Sequence, residues 1–252
     1  MTRRISQPGN SRLPTLALLL GSLWLAGCAS QPQGLGSGER ERAASPADAH
    51  TQLGMAYLER NNLQRAMGAL DRALSIDPND PEALQAMAMV YQRQGERALA
   101  DDAFQRALSA DRHFTRGRNN YAAFLYDQGR IREACEQLEL ASGDAQYPAR
   151  SQLFANLGQC QRELGDLAAA RRSLERAQNI DPRNPRSYFA RAELEHAAGN
   201  HDLAQQQVDT FIRLAGTSPE ALRLARQIAE ARGDRATAAF YSEQLDGRSG
   251  TP

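Results

Sequence analysis

Apolar residues recur at helical spacing along most of the chain, in pairs of amphipathic segments joined by short polar turns. The first pair carries two apolar faces, made by Leu53, Gly54 and Tyr57 and by Ala66, Leu70 and Ala73. A spacing of three and four residues is typical of one face of an α-helix, whereas a half-buried strand alternates every second residue. The pattern therefore predicts an all-α chain built from helix-turn-helix units.

The helical pair repeats at a nearly constant interval. One alanine per unit marks it, and successive alanines are 34, 34, 36, 34 and 34 residues apart: Ala66, Ala100, Ala134, Ala170, Ala204 and Ala238. A glycine or asparagine lies five residues before each alanine, where a left-handed residue would end the first helix of the unit. These signals predict six units, at residues 47–80, 81–114, 115–150, 151–184, 185–218 and 219–247.

The repeating unit resembles the tetratricopeptide repeat, which has a 34-residue period. Small residues stand where the two helices of a unit would meet, at Gly54, Ala88, Ala122, Gly158 and Ala192. The resemblance implies a right-handed superhelical array with a concave groove over residues 47–247. Arrays of this kind offer an extended surface to another chain, so the resemblance favours a binding protein.

The first 27 residues have the pattern of a bacterial signal peptide. Three arginines precede an apolar run of about 13 residues, which is shorter than the roughly 20 that span a bilayer. The run ends in Leu25-Ala26-Gly27-Cys28, which resembles the lipobox of bacterial lipoproteins. The resemblance implies a diacylglycerol and an N-acyl chain such as palmitate on Cys28. An unmodified cysteine after a secretion signal is the alternative.

The segment that follows is predicted to hold the array at a membrane. Residues 28–46 are rich in glutamine, proline, glycine and serine, which predicts a flexible tether, although its last residues could instead cap the first unit. Ala29 stands where an aspartate in such lipoproteins usually means retention in the inner membrane. Its identity therefore favours the periplasmic face of the outer membrane. Residues 248–252 are predicted to form a disordered tail.

Charge and motifs argue against nucleic acid, metal or catalysis. All 30 basic residues are arginine, and losing three with the signal peptide leaves 27 against 30 acidic residues, so we expect no nucleic-acid partner. No histidine pair has metal-ligand spacing, and His196 and His201 are expected on different faces of a helix or astride its end. No phosphate loop or nucleophile motif is found. We therefore predict a non-enzymatic protein without cofactor or metal.

The central part of the array resembles the type IV pilus biogenesis and stability lipoproteins, also called type IV pilus pilotins. The resemblance is carried by residues 119–126, Gly129-Arg130, Glu133-Ala134, residues 147–150 and residues 156–160. It implies a monomer anchored in the outer membrane that binds secretin subunits of the pilus and promotes their localisation and multimerisation. The alternative is an envelope adaptor lipoprotein with the same repeats, serving outer-membrane protein assembly or cell-wall enzymes.

Two features of the third and fourth units leave alternatives open. The third unit has 36 residues, and its two extra residues are either neutral drift or a feature that faces a partner. Cys135 and Cys160 fall on neighbouring predicted helices. They either form a disulfide, as an oxidising periplasm permits, or remain two separate buried thiols.

Residues of the first helices that point away from the packed faces are predicted to line the groove. The candidates for protein binding are Met55, Leu58, Met89, Arg116, Asn119, Tyr126, Gln159 and Phe189. Five of them are apolar or aromatic at places that the packing pattern does not require, which suits a bound peptide or helix. The alternative is that the tether or neighbouring units cover them.

Overall fold

The computed structural model describes residues 45–249, and side chains as far as residue 247. This part of the chain contains twelve α-helices and no strand, as the periodicity predicts. The helices are α1 (Pro46–Glu59), α2 (Leu63–Ile76), α3 (Pro81–Gln94), α4 (Arg97–Ala110), α5 (Thr115–Asp127), α6 (Ile131–Ser142), α7 (Arg150–Glu163), α8 (Leu167–Ile180), α9 (Pro185–Ala197), α10 (His201–Ala215), α11 (Pro219–Ala231) and α12 (Arg235–Ser249). The predicted signal peptide, Cys28 and most of the tether lie outside the described residues.

The helices pack as six antiparallel pairs, and each second helix also packs against the first helix of the next pair. Odd-numbered helices are the first helices of the six units and even-numbered helices the second. Consecutive units therefore bury their apolar faces against one another, which a single unit could not do alone. The architecture is the all-α array expected from the sequence.

Both ends of the array differ slightly from the predicted boundaries. Ser45 caps α1, because its hydroxyl accepts a hydrogen bond from the Asp48 backbone amide and the Asp48 carboxylate accepts one from the Ser45 backbone amide. Ordered structure therefore begins within the segment assigned to the tether. At the other end, α12 continues through Gly247 to Ser249. Residues 248 and 249 were thus wrongly assigned to a disordered tail, because Gly247 does not adopt the left-handed conformation that stops a helix.

The turn inside each unit forms as predicted. Asn61 has a φ of 54°, and the corresponding glycines of the other units also have positive φ. In the second unit the Glu96 amide donates to the Tyr91 carbonyl at 2.9 Å and the Gly95 amide to Gln92 at 3.1 Å. These bonds satisfy carbonyls that the end of α3 would otherwise leave unpaired.

Small residues allow the two helices of a unit to touch. Five of the six repeating alanines are completely buried, and the last, Ala238, is 9% exposed. A Cβ atom added to Gly158 would lie 2.6 Å from Leu174 Cγ, and Gly54 faces Leu70 at the same distance. The leucine of the second helix thus occupies space that a side chain on the first helix would need.

Aromatic residues hold the centre of the array together. The rings of Phe104, Tyr121 and Phe124 lie with centroids 5.3 to 6.2 Å apart, within the cluster that joins the second, third and fourth units. The Tyr121 hydroxyl donates to Asp101 Oδ1 at 2.7 Å, and Arg130 pairs with the same carboxylate at 2.8 Å. Burial raises the pKa of Tyr121, so the phenol stays protonated and keeps its donor.

The two extra residues of the third unit change how its second helix ends. Helix α6 stops at Ser142, and α7 begins at Arg150. In the connection between them, Tyr147 packs against the hydrophobic core shared by the second, third and fourth units, and Thr115 Oγ1 donates to Asp144 Oδ2 at 2.7 Å. The connection is therefore tied to the core rather than extended into solvent.

Cys135 on α6 and Cys160 on α7 are joined by a disulfide, with Cα atoms 5.6 Å apart. This Cα separation lies in the normal range for the bond. Both residues are buried, at 3% and 0% exposure. Of the two alternatives left by the sequence, the structure contains the bridge, and it covalently joins the third unit to the fourth.

A buried carboxylate joins the fourth unit to the fifth. Glu195 of α9 is fully buried and accepts two hydrogen bonds from Arg171, at 2.7 and 2.9 Å, and one from Asn200 at 2.7 Å. The Arg171 guanidinium lowers the pKa of Glu195, so the carboxylate is charged at neutral pH. The apolar periodicity of the sequence did not predict that Glu195 is buried, because a glutamate is normally expected on a solvent-exposed face of a helix.

We predict that Gly158→Ala destabilises the protein. Its new methyl group overlaps Leu174, and overpacking of this kind costs about 1–3 kcal/mol. Gly68→Ala is the matched control, because no atom lies within 4 Å of its added Cβ. That control should gain up to about 1 kcal/mol from helix propensity. Chemical denaturation measures both, and equal gains in the two variants would contradict the close contact.

Reduction of the disulfide is expected to lower the free energy of unfolding by about 3 kcal/mol, in the chain-entropy model. Denaturation with and without dithiothreitol measures the difference. The double variant Cys135→Ala with Cys160→Ala is the control and should not respond to dithiothreitol. Peptide mapping that finds both thiols free in protein isolated from an oxidising compartment would contradict the bridge.

Candidate protein-binding groove

The first helices of successive units are connected side by side, and three of the predicted groove residues, Arg116, Tyr126 and Gln159, take part in these contacts. Arg116 pairs with Glu82 at 2.7 Å, joining α5 to α3. Further along, Gln159 donates to the Tyr126 hydroxyl at 3.2 Å, and Arg162 pairs with Glu193 at 2.7 Å. These contacts place the residues on one continuous face that crosses α3, α5, α7 and α9.

Two of the predicted groove residues are buried. Leu58 is 4% exposed and packs in the core shared by the first and second units, so its assignment as an exposed groove residue was wrong. Its position in the repeat points to the groove, but the side chain lies against the next unit. Asn119 is 8% exposed, and its Oδ1 accepts a hydrogen bond from Asn156 Nδ2 at 3.2 Å. Asn119 therefore joins two units, and its amide oxygen is already used in this contact.

The groove is apolar at its N-terminal end. Met55 and Met89 are partly exposed, and both pack against the core below them. The Gln85 amide approaches the Met89 sulfur at 3.7 Å, and Arg93 donates to the Leu58 carbonyl. Methionine side chains are flexible and polarizable, so this end presents an adaptable surface.

The middle of the groove is polar. The Tyr126 hydroxyl and the Gln159 amide form its centre, and burial raises the pKa of Tyr126, so the phenol is neutral. Arg116 is partly exposed, with its guanidinium committed to Glu82. Polar side chains in this segment are largely paired with one another, which fixes their positions before any partner arrives.

Two cavities open on the C-terminal half of this face. The larger one, about 350 Å³, holds an aromatic pair, Phe189 and Phe211, with ring centroids 5.0 Å apart, and we call it the Phe189 pocket. The smaller one, about 190 Å³, lies between α5 and α7, and we call it the α5/α7 notch. Both are lined by Gln159 and Arg186.

The histidines do not assemble a metal centre with other ligands in the described part of the chain. His196 and His201 lie on either side of the turn between α9 and α10, one of the placements expected, with Nδ1 atoms 3.2 Å apart. Burial lowers the pKa of His196, which keeps this imidazole neutral at pH 7. No group of three or more histidine, cysteine, aspartate or glutamate side chains within the described residues could hold a metal ion.

None of the described helices is long and apolar enough to cross a membrane. The feature that the described residues offer is the continuous face across α3, α5, α7 and α9.

Comparison with known proteins identifies the repeat and the family. Models of the tetratricopeptide repeat match residues 47–90, 83–116 and 151–184. The type IV pilus assembly protein PilF of Pseudomonas aeruginosa is 37% identical over 198 residues, covering 79% of each chain. An uncharacterized protein of Haemophilus influenzae is 30% identical over 135 residues, covering 54% of this chain and 75% of its own length.

Solved structures agree with this assignment. The structure of Pseudomonas aeruginosa pilF has a TM-score of 0.74 and 36% identity, and the match covers 82% of this chain and 93% of that one. The structure of PilW, described as a widely conserved type IV pilus biogenesis factor, has a TM-score of 0.77 and 25% identity, covering 83% and 96%. From this identity and coverage, the chain belongs to the family of tetratricopeptide-repeat type IV pilus biogenesis proteins.

Proposed function

We propose that the protein is an outer-membrane lipoprotein of the pilotin type, which binds subunits of the type IV pilus secretin and promotes their localisation and multimerisation. The observation that carries the proposal is the 37% identity to a type IV pilus assembly protein over four fifths of both chains. The groove supports it, because an extended surface of paired polar residues and flexible methionines suits a polypeptide ligand.

The lipobox supports the location. A diacylglycerol and an N-acyl chain on Cys28 provide the two or more chains that stable membrane anchoring needs. The residues between Cys28 and the start of α1 at Pro46 would reach about 25 Å as a flexible coil. An array held at this distance can meet a secretin subunit in the periplasm while the anchor stays in the outer membrane.

The proposed action is binding rather than catalysis. The array places its polar groups in pairs such as Arg162 with Glu193, which fixes a recognition surface. Binding several copies of one partner near a membrane raises their local concentration, which favours assembly of a ring. No bond needs to be made or broken in the partner for this to happen.

The variant Cys28→Ser is expected to lose its acyl chains and to reduce secretin multimers in the outer membrane to the level of a deletion strain. The repeat domain should remain folded, because its core lies within the described helices and not in the anchor. Membrane fractionation followed by immunoblotting of SDS-resistant multimers measures the effect, and circular dichroism checks the fold. Normal multimers with this variant would show that anchoring is not part of the function.

The variant Met55→Gln with Met89→Gln is expected to weaken co-purification with the secretin about tenfold, because it replaces the apolar surface by amides of similar length. Leu99→Gln is the matched control, since Leu99 is 49% exposed on α4, a second helix outside the groove. Titrated pull-down from detergent-solubilised membranes compares the two. Equal binding by both variants would exclude the N-terminal end of the groove as a contact surface.

A further inference from the structure

The junction between the third and fourth units differs from the other junctions in the described array. Successive first helices pack directly against each other at α1 and α3, α3 and α5, α7 and α9, and α9 and α11. Helices α5 and α7 pack less closely than these pairs, and they are joined by the side-chain bonds of Asn119 with Asn156 and Tyr126 with Gln159. This is also the junction that contains the two extra residues.

The second helix of the same junction remains tightly attached. Helix α6 packs closely on α7, and the Cys135–Cys160 disulfide joins them. Tyr147 fills the connection from the core side. The junction is therefore closely packed between α6 and α7 and less closely packed between α5 and α7, where a cavity opens.

The opening is the α5/α7 notch. Its floor includes Ala122 and Leu138, which are buried core residues, so the notch reaches the interior of the array. Ala123, which is exposed, keeps the entrance clear because its side chain is a single methyl group. A volume of about 190 Å³ equals that of about six waters at roughly 30 Å³ each, which is room for one branched aliphatic side chain.

The Phe189 pocket lies beside the notch. Pro185, Ala190 and the two phenylalanine rings give it an apolar lining, and its volume of about 350 Å³ accommodates a larger or aromatic side chain. Gln159 and Arg186 line both cavities and therefore stand between them. The two cavities form one site with a shared polar wall.

The Arg186 guanidinium on this wall has no carboxylate partner. Glu193 is paired with Arg162 at 2.7 Å, which also pairs with Glu163, and Glu220 is paired with Arg223 at 3.0 Å. Arg186 is exposed, and Nη1 donates only to the neutral amide oxygen of Asn156, at 3.2 Å. Asp127 borders the notch but not the Phe189 pocket. The charged side chain common to both cavities is therefore Arg186, and its guanidinium is complementary to a carboxylate.

We infer that the α5/α7 notch and the Phe189 pocket together dock one extended segment of a protein partner, in which an acidic side chain on Arg186 separates two apolar anchors. In an extended chain every second side chain faces the same way, so the segment reads apolar, any, acidic, any, apolar. The smaller anchor enters the notch and the larger one the Phe189 pocket. This inference rests on the proposed function, which makes the partner a secretin subunit.

The test uses full-length lipidated protein in detergent and synthetic 15-residue peptides that tile the periplasmic part of the secretin. Peptides bound by the wild-type protein are titrated by fluorescence anisotropy against Phe189→Ala, Arg186→Glu and two control variants. Phe240→Ala controls for loss of an aromatic ring, since Phe240 is 54% exposed on α12 outside the site. Arg72→Glu controls for the reversal of charge, since Arg72 is exposed on α2 outside the site.

We expect the bound peptides to contain the apolar and acidic pattern. Phe189→Ala and Arg186→Glu should each weaken their binding at least tenfold, while Phe240→Ala and Arg72→Glu stay within twofold. Replacing the acidic residue of the peptide by lysine should abolish binding to wild type and restore it in Arg186→Glu, which a merely unfolded variant could not do.

Three results would overturn the inference. Peptide binding that is unaffected by Phe189→Ala and Arg186→Glu would reject this site while leaving the proposed function intact. If no peptide binds although the whole secretin co-purifies with the protein, recognition by a short extended segment is excluded. If the whole secretin also fails to co-purify, the proposed function fails, and this inference fails with it.

Discussion

The close contact between the two helices of each unit is the constraint on which the rest of the structure depends. At Gly54 and Gly158 the backbone of the first helix lies against a leucine of the second helix. In the same two units, Ala66 and Ala170 on the second helix are completely buried. This contact fixes how the two helices cross, and the crossing fixes which side chains point to the next unit and which to the groove. The groove is therefore a consequence of where small residues stand.

Between units, specific polar contacts supplement the apolar packing. The buried Glu195 carboxylate, held by Arg171 and Asn200, connects the fourth and fifth units, and Asp101 connects Tyr121 with Arg130 in the centre. A buried charge left without its partner costs several kcal/mol, so such contacts require one particular arrangement of the units. They fix the positions of neighbouring units relative to one another.

The third junction is the structural exception in the array. In an array where each unit contacts only its neighbours, two extra residues can alter one junction and leave the others unchanged. At this junction α5 and α7 pack less closely than other successive first helices, while the Cys135–Cys160 disulfide joins α6 to α7. The junction thus combines a cavity between the first helices with a covalent link behind it.

The sequence by itself determined the helices, their pairing and the left-handed turns, because each rests on local signals that recur every 34 residues. It also indicated the family, through segments between residues 119 and 160 that resemble the pilus lipoproteins. It predicted a groove, since position in the repeat fixes which side of a first helix faces outward. Only the tertiary structure decided which of those residues are exposed. Leu58 and Asn119 lie against neighbouring units, and Glu195 is buried with partners 5 and 24 residues away. Contacts between units depend on how far each junction is rotated and spread, and no local pattern encodes that.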